Sequence, residues 1–136
     1  MKVILDCNIW ISFLLSKQNG LLKRILTDMR FDVCVCKELI NEIKNVSSRQ
    51  KIRKYVNDND VNTLLEIINA FCQYGSITSQ AESNIRDKKD LYLLSFAESI
   101  DAIYIVSGDK DLTELRQHNN TKIITLAEFR QQMMLF

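Results

Sequence analysis

Seventeen of the 136 residues are Asp or Glu, and a few of them stand where a fold can use a charge. Asp6 directly follows the apolar run Val3-Ile4-Leu5 and is itself followed by Cys7-Asn8. Asp109 and Asp111 come after a second such run, Ala102-Ile103-Tyr104-Ile105-Val106, with Ser107-Gly108 between. An apolar run without polar alternation reads as a strand covered on both faces. In an open parallel sheet, ligands bind just past the carboxyl ends of such strands. Glu42 borders the apolar helical stripe of Leu39, Ile40, Ile43 and Val46, whereas Glu38 points further toward solvent. Asp90 closes Asp87-Lys88-Lys89-Asp90 and shares a helical stripe with Leu94 and Ala97, the side that faces a core. A carboxylate on a core face needs a partner or a metal.

Each acid also has an ordinary reading. Asp6, Asn8, Asp87 and Asp109 suit helix N-caps, and Asp87 with Asp90 resembles a capping box. Glu42 suits a solvated helix flank. Together these readings still place an acid from each of four segments near one edge of one sheet. Clustered carboxylates repel, and their charged forms are costly unless a cation neutralises them. An all-oxygen set without His or Cys suits Mg²⁺ or Mn²⁺. Such ions polarise phosphoryl oxygens and activate water, which are the needs of phosphodiester hydrolysis. In this reading Asn8 hydrogen-bonds to Asp6 and holds it in place.

The elements that must position these acids alternate along the chain. Strands are expected at Lys2–Leu5, Phe31–Cys36, Ala102–Val106 and Lys122–Thr125, with at most a short one at Ser76–Thr78. Helices are expected over Ile9–Leu15, Leu21–Met29, Lys37–Val46, Val61–Cys72 (capped by Asp58 or Asp60), Leu91–Ser99, a short stretch ending near Gln117, and Leu126–Phe136. This alternation predicts an α/β fold of three layers, α/β/α, around a mainly parallel sheet of four to five strands. Residues 1–136 are expected to form a single domain, with no repeat, low-complexity segment or linker.

Composition narrows the partners. The chain is 46% hydrophobic and 26% charged, ordinary for a globular fold, and its net charge of +1 supplies no global basic field for nucleic acid. Any such binding must come from local patches. No stretch reaches the ~20 apolar residues of a membrane span, and the start of the chain lacks a signal-like h-region, so no membrane association and a cytoplasmic location are expected. Cys7, Cys34, Cys36 and Cys72 include no C-x-x-C pair and have no nearby His, so buried free thiols are expected rather than a zinc site. His118 lies in a polar run and reads as a surface loop residue without a catalytic role. The apolar ending Met133-Met134-Leu135-Phe136 suits either a closing piece of the core or a contact with a partner.

These pieces resemble the PIN-domain family, the ribonucleases that serve as VapC-type toxins of toxin–antitoxin pairs. The likeness runs through Val3-Ile4-Leu5-Asp6-Cys7-Asn8, Glu38-Leu39-Ile40-Asn41-Glu42-Ile43, Arg86-Asp87-Lys88-Lys89-Asp90 with Leu93-Leu94-Ser95-Phe96-Ala97, and Thr125-Leu126-Ala127-Glu128-Phe129. Its most specific piece is the run from Ala102 to Leu112. The resemblance implies that Asp6, Glu42, Asp90 and Asp109 form a catalytic, metal-holding quartet. Asp111 would be an accessory ligand, and Asn8 and Ser107 would be hydrogen-bonding supports. It implies Mg²⁺ or Mn²⁺ as cofactor and RNA as substrate, cut in line by water to 5′-phosphate and 3′-hydroxyl ends. A cognate antitoxin and a homodimer are the implied protein partners. Arg86, Lys88, Lys89 and Lys110 lie beside the acids and would hold flanking phosphates. Arg49, Lys51, Arg53 and Lys54 read as a solvated helix face that would extend the same track. The chain departs from the family's usual pattern at Lys88 and Lys37, where Pro is common, at Cys36, where Ser is common, and at Ser107, where Thr is commoner.

Two other classes compete. A Mg²⁺-dependent phosphotransfer domain also gathers acids at a sheet edge, but the dehalogenase-like pattern wants Asp where Asn8 stands, and no receiver-like Asp and Lys pair is present. A non-catalytic binding module of the same fold would carry a broken quartet, and all four acids are present. P-loop and dinucleotide motifs are absent.

Overall fold

The computed structural model describes residues 1–17, 19–85 and 87–135, the side chain of Leu135 excepted. Among them six strands form one sheet: β1 (Lys2–Leu5), β2 (Asp32–Val35), β3 (Gln73–Tyr74), β4 (Tyr104–Val106), β5 (Gln117–His118) and β6 (Thr121–Ile124). Their order is β3-β2-β1-β4-β6-β5. Every neighbouring pair is parallel except β5 and β6, which are antiparallel. The register sets Leu5 against Val106 and Val106 against Ile124, so the carboxyl ends of β1, β4 and β6 lie side by side. From β1 the chain first builds outward through β2 and β3, and later on the other side through β4 and β6. The order therefore reverses between β1 and β4, the kind of place where open α/β sheets bind ligands.

The helices are α1 (Cys7–Ser16), α2 (Gly20–Thr27), α3 (Lys37–Ser47), α4 (Gln50–Arg53), α5 (Asp58–Phe71), α6 (Leu91–Ile100), α7 (Lys110–Thr113) and α8 (Leu126–Leu135), with a 3₁₀ turn at Lys88–Asp90 before α6. Val3, Ile4 and Leu5 are all buried, as are Tyr104, Ile105 and Val106. Successive strand side chains point to opposite faces, so both faces of the sheet are covered, as the unbroken apolar runs require. The α/β architecture with a mainly parallel sheet thus stands as expected. From α8, Phe129 is fully buried and meets Phe31 and Tyr104 edge-on, at ring-centroid distances of 5.1 and 6.1 Å.

The sheet has more strands than its four long apolar runs announce. The extra pair, β3 and β5, are two-residue edge strands, too short to show a period, and β3 lies at Gln73–Tyr74 rather than at Ser76–Thr78. The helix expected to reach Gln117 ends at Thr113. Arg116 soon follows in a left-handed conformation, φ 63°, which an α-helix cannot carry. The two-residue turn that closes the β5–β6 hairpin places Asn119 at φ 51°, a conformation Asn tolerates. Helix α5 starts at Asp58 because Asn57 is the cap. Its side chain accepts from the Asp60 N–H at 2.9 Å while the Asp60 carboxylate accepts from the Asn57 N–H at 3.0 Å.

Cys7, Cys34 and Cys36 are buried free thiols, and Cys72 is half-buried. At the apolar ending, Met133 joins the core and Met134 is exposed, while the Leu135 side chain and Phe136 lie outside the described residues. Among the described residues no helix is long and apolar enough to cross a membrane. The Phe129 cluster ties α8 to the sheet, and truncation to Ala leaves a cavity under β4. Phe129→Ala is expected to lower unfolding free energy by about 3–5 kcal/mol, read from the midpoint of urea denaturation at unchanged slope.

Candidate functional site

Asp6 ends β1 and opens α1. Its Oδ1 accepts the Cys7 N–H at 2.7 Å, the bond of a helix N-cap. Its Oδ2 accepts the Ser107 hydroxyl at 2.7 Å and the Asn8 Nδ2 at 3.3 Å. Ser107 follows β4, so the strand ends are laced together. The Asp6 N–H reaches the Val106 carbonyl at 2.9 Å, and the Gly108 N–H reaches Asn8 Oδ1 at 3.1 Å. The Ser107 hydroxyl in turn accepts the Asp109 N–H at 3.0 Å. Asp109 caps α7, its Oδ1 accepting the Asp111 N–H at 2.9 Å.

Asp90 reaches the same place from the other direction. It is buried at the junction of the 3₁₀ turn and α6, yet its side chain caps neither. Asp87 does that, accepting from the Lys89 N–H at 3.0 Å. Among the described residues the Asp90 Oδ2 is left buried with no hydrogen-bond partner. Unpartnered buried carboxylate oxygens are rare and call for an explanation. Glu42, half-buried on α3, accepts the Tyr92 hydroxyl at 2.8 Å. Tyr92 lies on α6 and was not singled out by sequence reasoning. Its position two residues past Asp90 is the only signal the chain offers.

The electrostatics are those of crowded acids. Burial pushes the Asp6 carboxyl up to about 6, against the pull of its bonds to Ser107 and Cys7, and the nearby charges of Glu42 and Asp109 add to the rise. Asp90 is pushed up to about 8, first by burial, then by a hydrogen bond with Asp109 and by the charges of Asp6, Asp109 and Asp87. The Tyr92 phenol is raised by burial and by Glu42. Burial, Glu42 and Asp6 likewise raise the Cys7 thiol, which stays protonated and is no nucleophile.

Asp6, Glu42, Asp90 and Asp109 line one open groove of about 530 Å³, together with Asn8, Cys7, Asp87 and Lys89. Asp111 meets it through its backbone bond to Asp109 and is not in the lining. Lys88 and Lys110 are exposed away from the lining, and the Lys88 ammonium donates to the Ser83 carbonyl at 2.9 Å. Arg86 lies outside the described residues. The basic run divides. Arg49 and Lys51 line the groove, whereas Arg53 pairs with Asp58. Among the described residues no three acids yet converge closely enough to hold an ion. The donor set is nonetheless all oxygen, and the partnerless Asp90 Oδ2 is an acceptor that a hard divalent cation would satisfy.

The family model of the PIN domain matches residues 2–111. The chain belongs to the PIN-domain family. PIN domains are nucleases as a family, which agrees with acids gathered at the switch point of the sheet. Among solved structures this PIN domain is similar in fold to a chain of VapBC2 from Rickettsia felis, a complex solved bound to a DNA fragment from its promoter. The TM-score is 0.59 at 13% identity, over 92% of this chain and 98% of that one. A search of curated protein sequences finds no match.

The raised Asp90 has a measurable consequence. An unfolded Asp titrates near 3.9, so between about 4 and about 8 the folded chain holds the extra proton, and stability falls as pH rises across that window. Asp90→Asn removes the ionisation and keeps the shape. In metal-free buffer with chelator it is expected to melt above the wild type at pH 8, with the gap narrowing as pH falls toward 4. A gap that does not change with pH contradicts the assignment.

Proposed function

We propose that this groove is the active site of a Mg²⁺- or Mn²⁺-dependent endoribonuclease, and that the chain is the toxin of a type II toxin–antitoxin pair. The observation that carries the reading is the buried, partnerless oxygen of Asp90 in one groove with Asp6, Glu42 and Asp109. In the absence of a cation such a set lowers its charge by holding protons to higher pH, Asp6 up to about 6 and Asp90 up to about 8.

Asp6, Glu42, Asp90 and Asp109 would hold the ion, with Asp111 as an accessory. When bound, the ion supplies Lewis-acid polarisation of a phosphoryl oxygen and an acidified water. The protein's own share is positioning. Ser107 and Asn8 fix the orientation of the Asp6 carboxylate, Tyr92 that of Glu42, and the Asp111 N–H that of Asp109. Lys89, in the groove lining, is placed to neutralise a phosphate. Arg86, Lys88 and Lys110 are proposed to act on phosphates further along the strand.

RNA as substrate rests on the likeness of the five motifs to ribonuclease toxins. An antitoxin partner is supported by family membership and by the fold shared with a chain of VapBC2. The homodimer and the cytoplasmic location follow the same likeness.

The test is hydrolysis of an end-labelled RNA by purified protein. Cleavage is expected with Mn²⁺ or Mg²⁺, to stop with chelator, and to leave 5′-phosphate ends. Asp6→Asn and Glu42→Gln are each expected to lower kcat at least ~100-fold, equivalent to about 2.7 kcal/mol. Cleavage that survives both substitutions, or proceeds in chelator, contradicts the reading.

A further inference from the structure

The groove extends well beyond its acids, and its second part has a different chemistry. Ile11, Ser12 and Leu15 of α1, Val46 of α3 and Ile52 of α4 line it, and Arg49 and Lys51 sit among them. Leu15 is 40% exposed, so part of this apolar wall faces solvent at the edge of a site full of charge. The two cations are not absorbed by the fold. Among the described residues neither takes part in an ion pair, although five acids share the groove and the neighbouring Arg53 is tied to Asp58. Helix α4 is a single turn with Ile52 buried beneath it, which anchors the segment carrying Arg49 and Lys51.

An apolar patch bordered by two unpaired cations, opening into a carboxylate site, matches the parts of one nucleotide. The base, unpaired and turned out of its stack, covers the patch, and its phosphate meets the guanidinium and ammonium. We propose that Ile11, Leu15, Val46 and Ile52 with Arg49 and Lys51 form a nucleotide subsite beside the acids, which seats the residue next to the scissile phosphate. The inference rests on the nuclease reading above and deepens it. Three consequences follow. The adjoining base must be unpaired, so a duplex enters poorly. Arg49 adds a bidentate phosphate contact that Lys does not reproduce in full. Among the described residues no aromatic ring lines the patch, so selection among bases comes from shape and from the Ser12 hydroxyl rather than from stacking.

The experiment is fluorescence anisotropy of the full chain with a 5′-labelled single-stranded oligoribonucleotide of mixed sequence, and with the same strand in a blunt duplex. Both run on the Asp6→Asn background in chelator, so that nothing turns over. Arg49→Ala combined with Lys51→Ala is expected to weaken single-strand binding at least tenfold and to lower the slope of log K against log salt by about one to two. Leu15→Asn, neutral and at a position exposed enough to fold, is expected to weaken it without changing that slope. Lys122→Ala, exposed on β6 and outside the lining, serves as the control and is expected to bind as the parent does. Duplex binding equal to single-strand binding overturns the subsite, as does parental affinity in the Arg49/Lys51 variant. Absence of binding to either probe also overturns it. If single strands bind through these residues but the wild type cleaves no RNA in Mn²⁺, the subsite stands and the nuclease reading fails.

Discussion

The Asp6 carboxylate sits at the end of a buried central strand, and much of the local structure exists to hold it there. Val3, Ile4 and Leu5 of β1 are buried on both faces of the sheet, and Asp6, which follows them directly, is buried with them. Ser107, Asn8 and the Cys7 N–H take up the carboxylate's lone pairs and thereby couple the β1–α1 turn to the β4–α7 loop. That coupling places Asp109, whose N–H rests on the same Ser107 hydroxyl. A single hydrogen-bonded knot at the switch point of the sheet therefore fixes the position of two acids. The burial that makes the knot rigid also raises Asp6 to about 6. Rigid placement and electrostatic discomfort have one origin.

Glu42 and Asp90 are attached to this knot by charge rather than by hydrogen bonds to Asp6. Each is held by its own support: Glu42 by Tyr92, and Asp90 by its place between the 3₁₀ turn and α6. Tyr92 spans from α6 to α3, fifty residues away in the chain, and stops the Glu42 side chain from extending into solvent. The groove that results has an acidic part built on the ends of β1 and β4, on α3 and on the start of α6, and an apolar, basic part built on α1, α3 and α4. The first part suits a cation and the second suits a nucleotide. The two parts are continuous in one groove.

How far this was legible in the sequence depends on the length over which each signal acts. The strands that carry Asp6 and Asp109 are unbroken apolar runs, and a buried central strand can hardly be written otherwise, so the architecture and the strand-end acids could be read. Asp90 could be read because a carboxylate on a core-facing stripe conflicts with its surroundings. β3 and β5 could not, because two residues carry no period. Tyr92 could not, because a Tyr on a half-buried helix face is an ordinary packing residue until a partner on a distant helix is known. The basic run at Arg49–Lys54 reads uniformly in sequence. Only the fold separates Arg49 and Lys51, which line the groove, from Arg53, which shares α4 with Lys51 but is occupied by Asp58. Asp87 and Asp90 resemble a capping box, but the two acids divide the work: Asp87 caps alone and Asp90 is left over.

The central claim is that the four acids are a cation site in waiting. The most direct measurement is thermal melting of the wild type with and without millimolar Mn²⁺, against Asp6→Asn under the same conditions. No substrate need be known. A site filled to about 100 times its Kd stabilises the fold by about 2.7 kcal/mol, several degrees for a domain of this size. The account predicts such a rise in the wild type and its loss in the variant. No rise at any Mn²⁺ concentration, or an equal rise in both proteins, would contradict it and leave the acids as structural parts of a binding module.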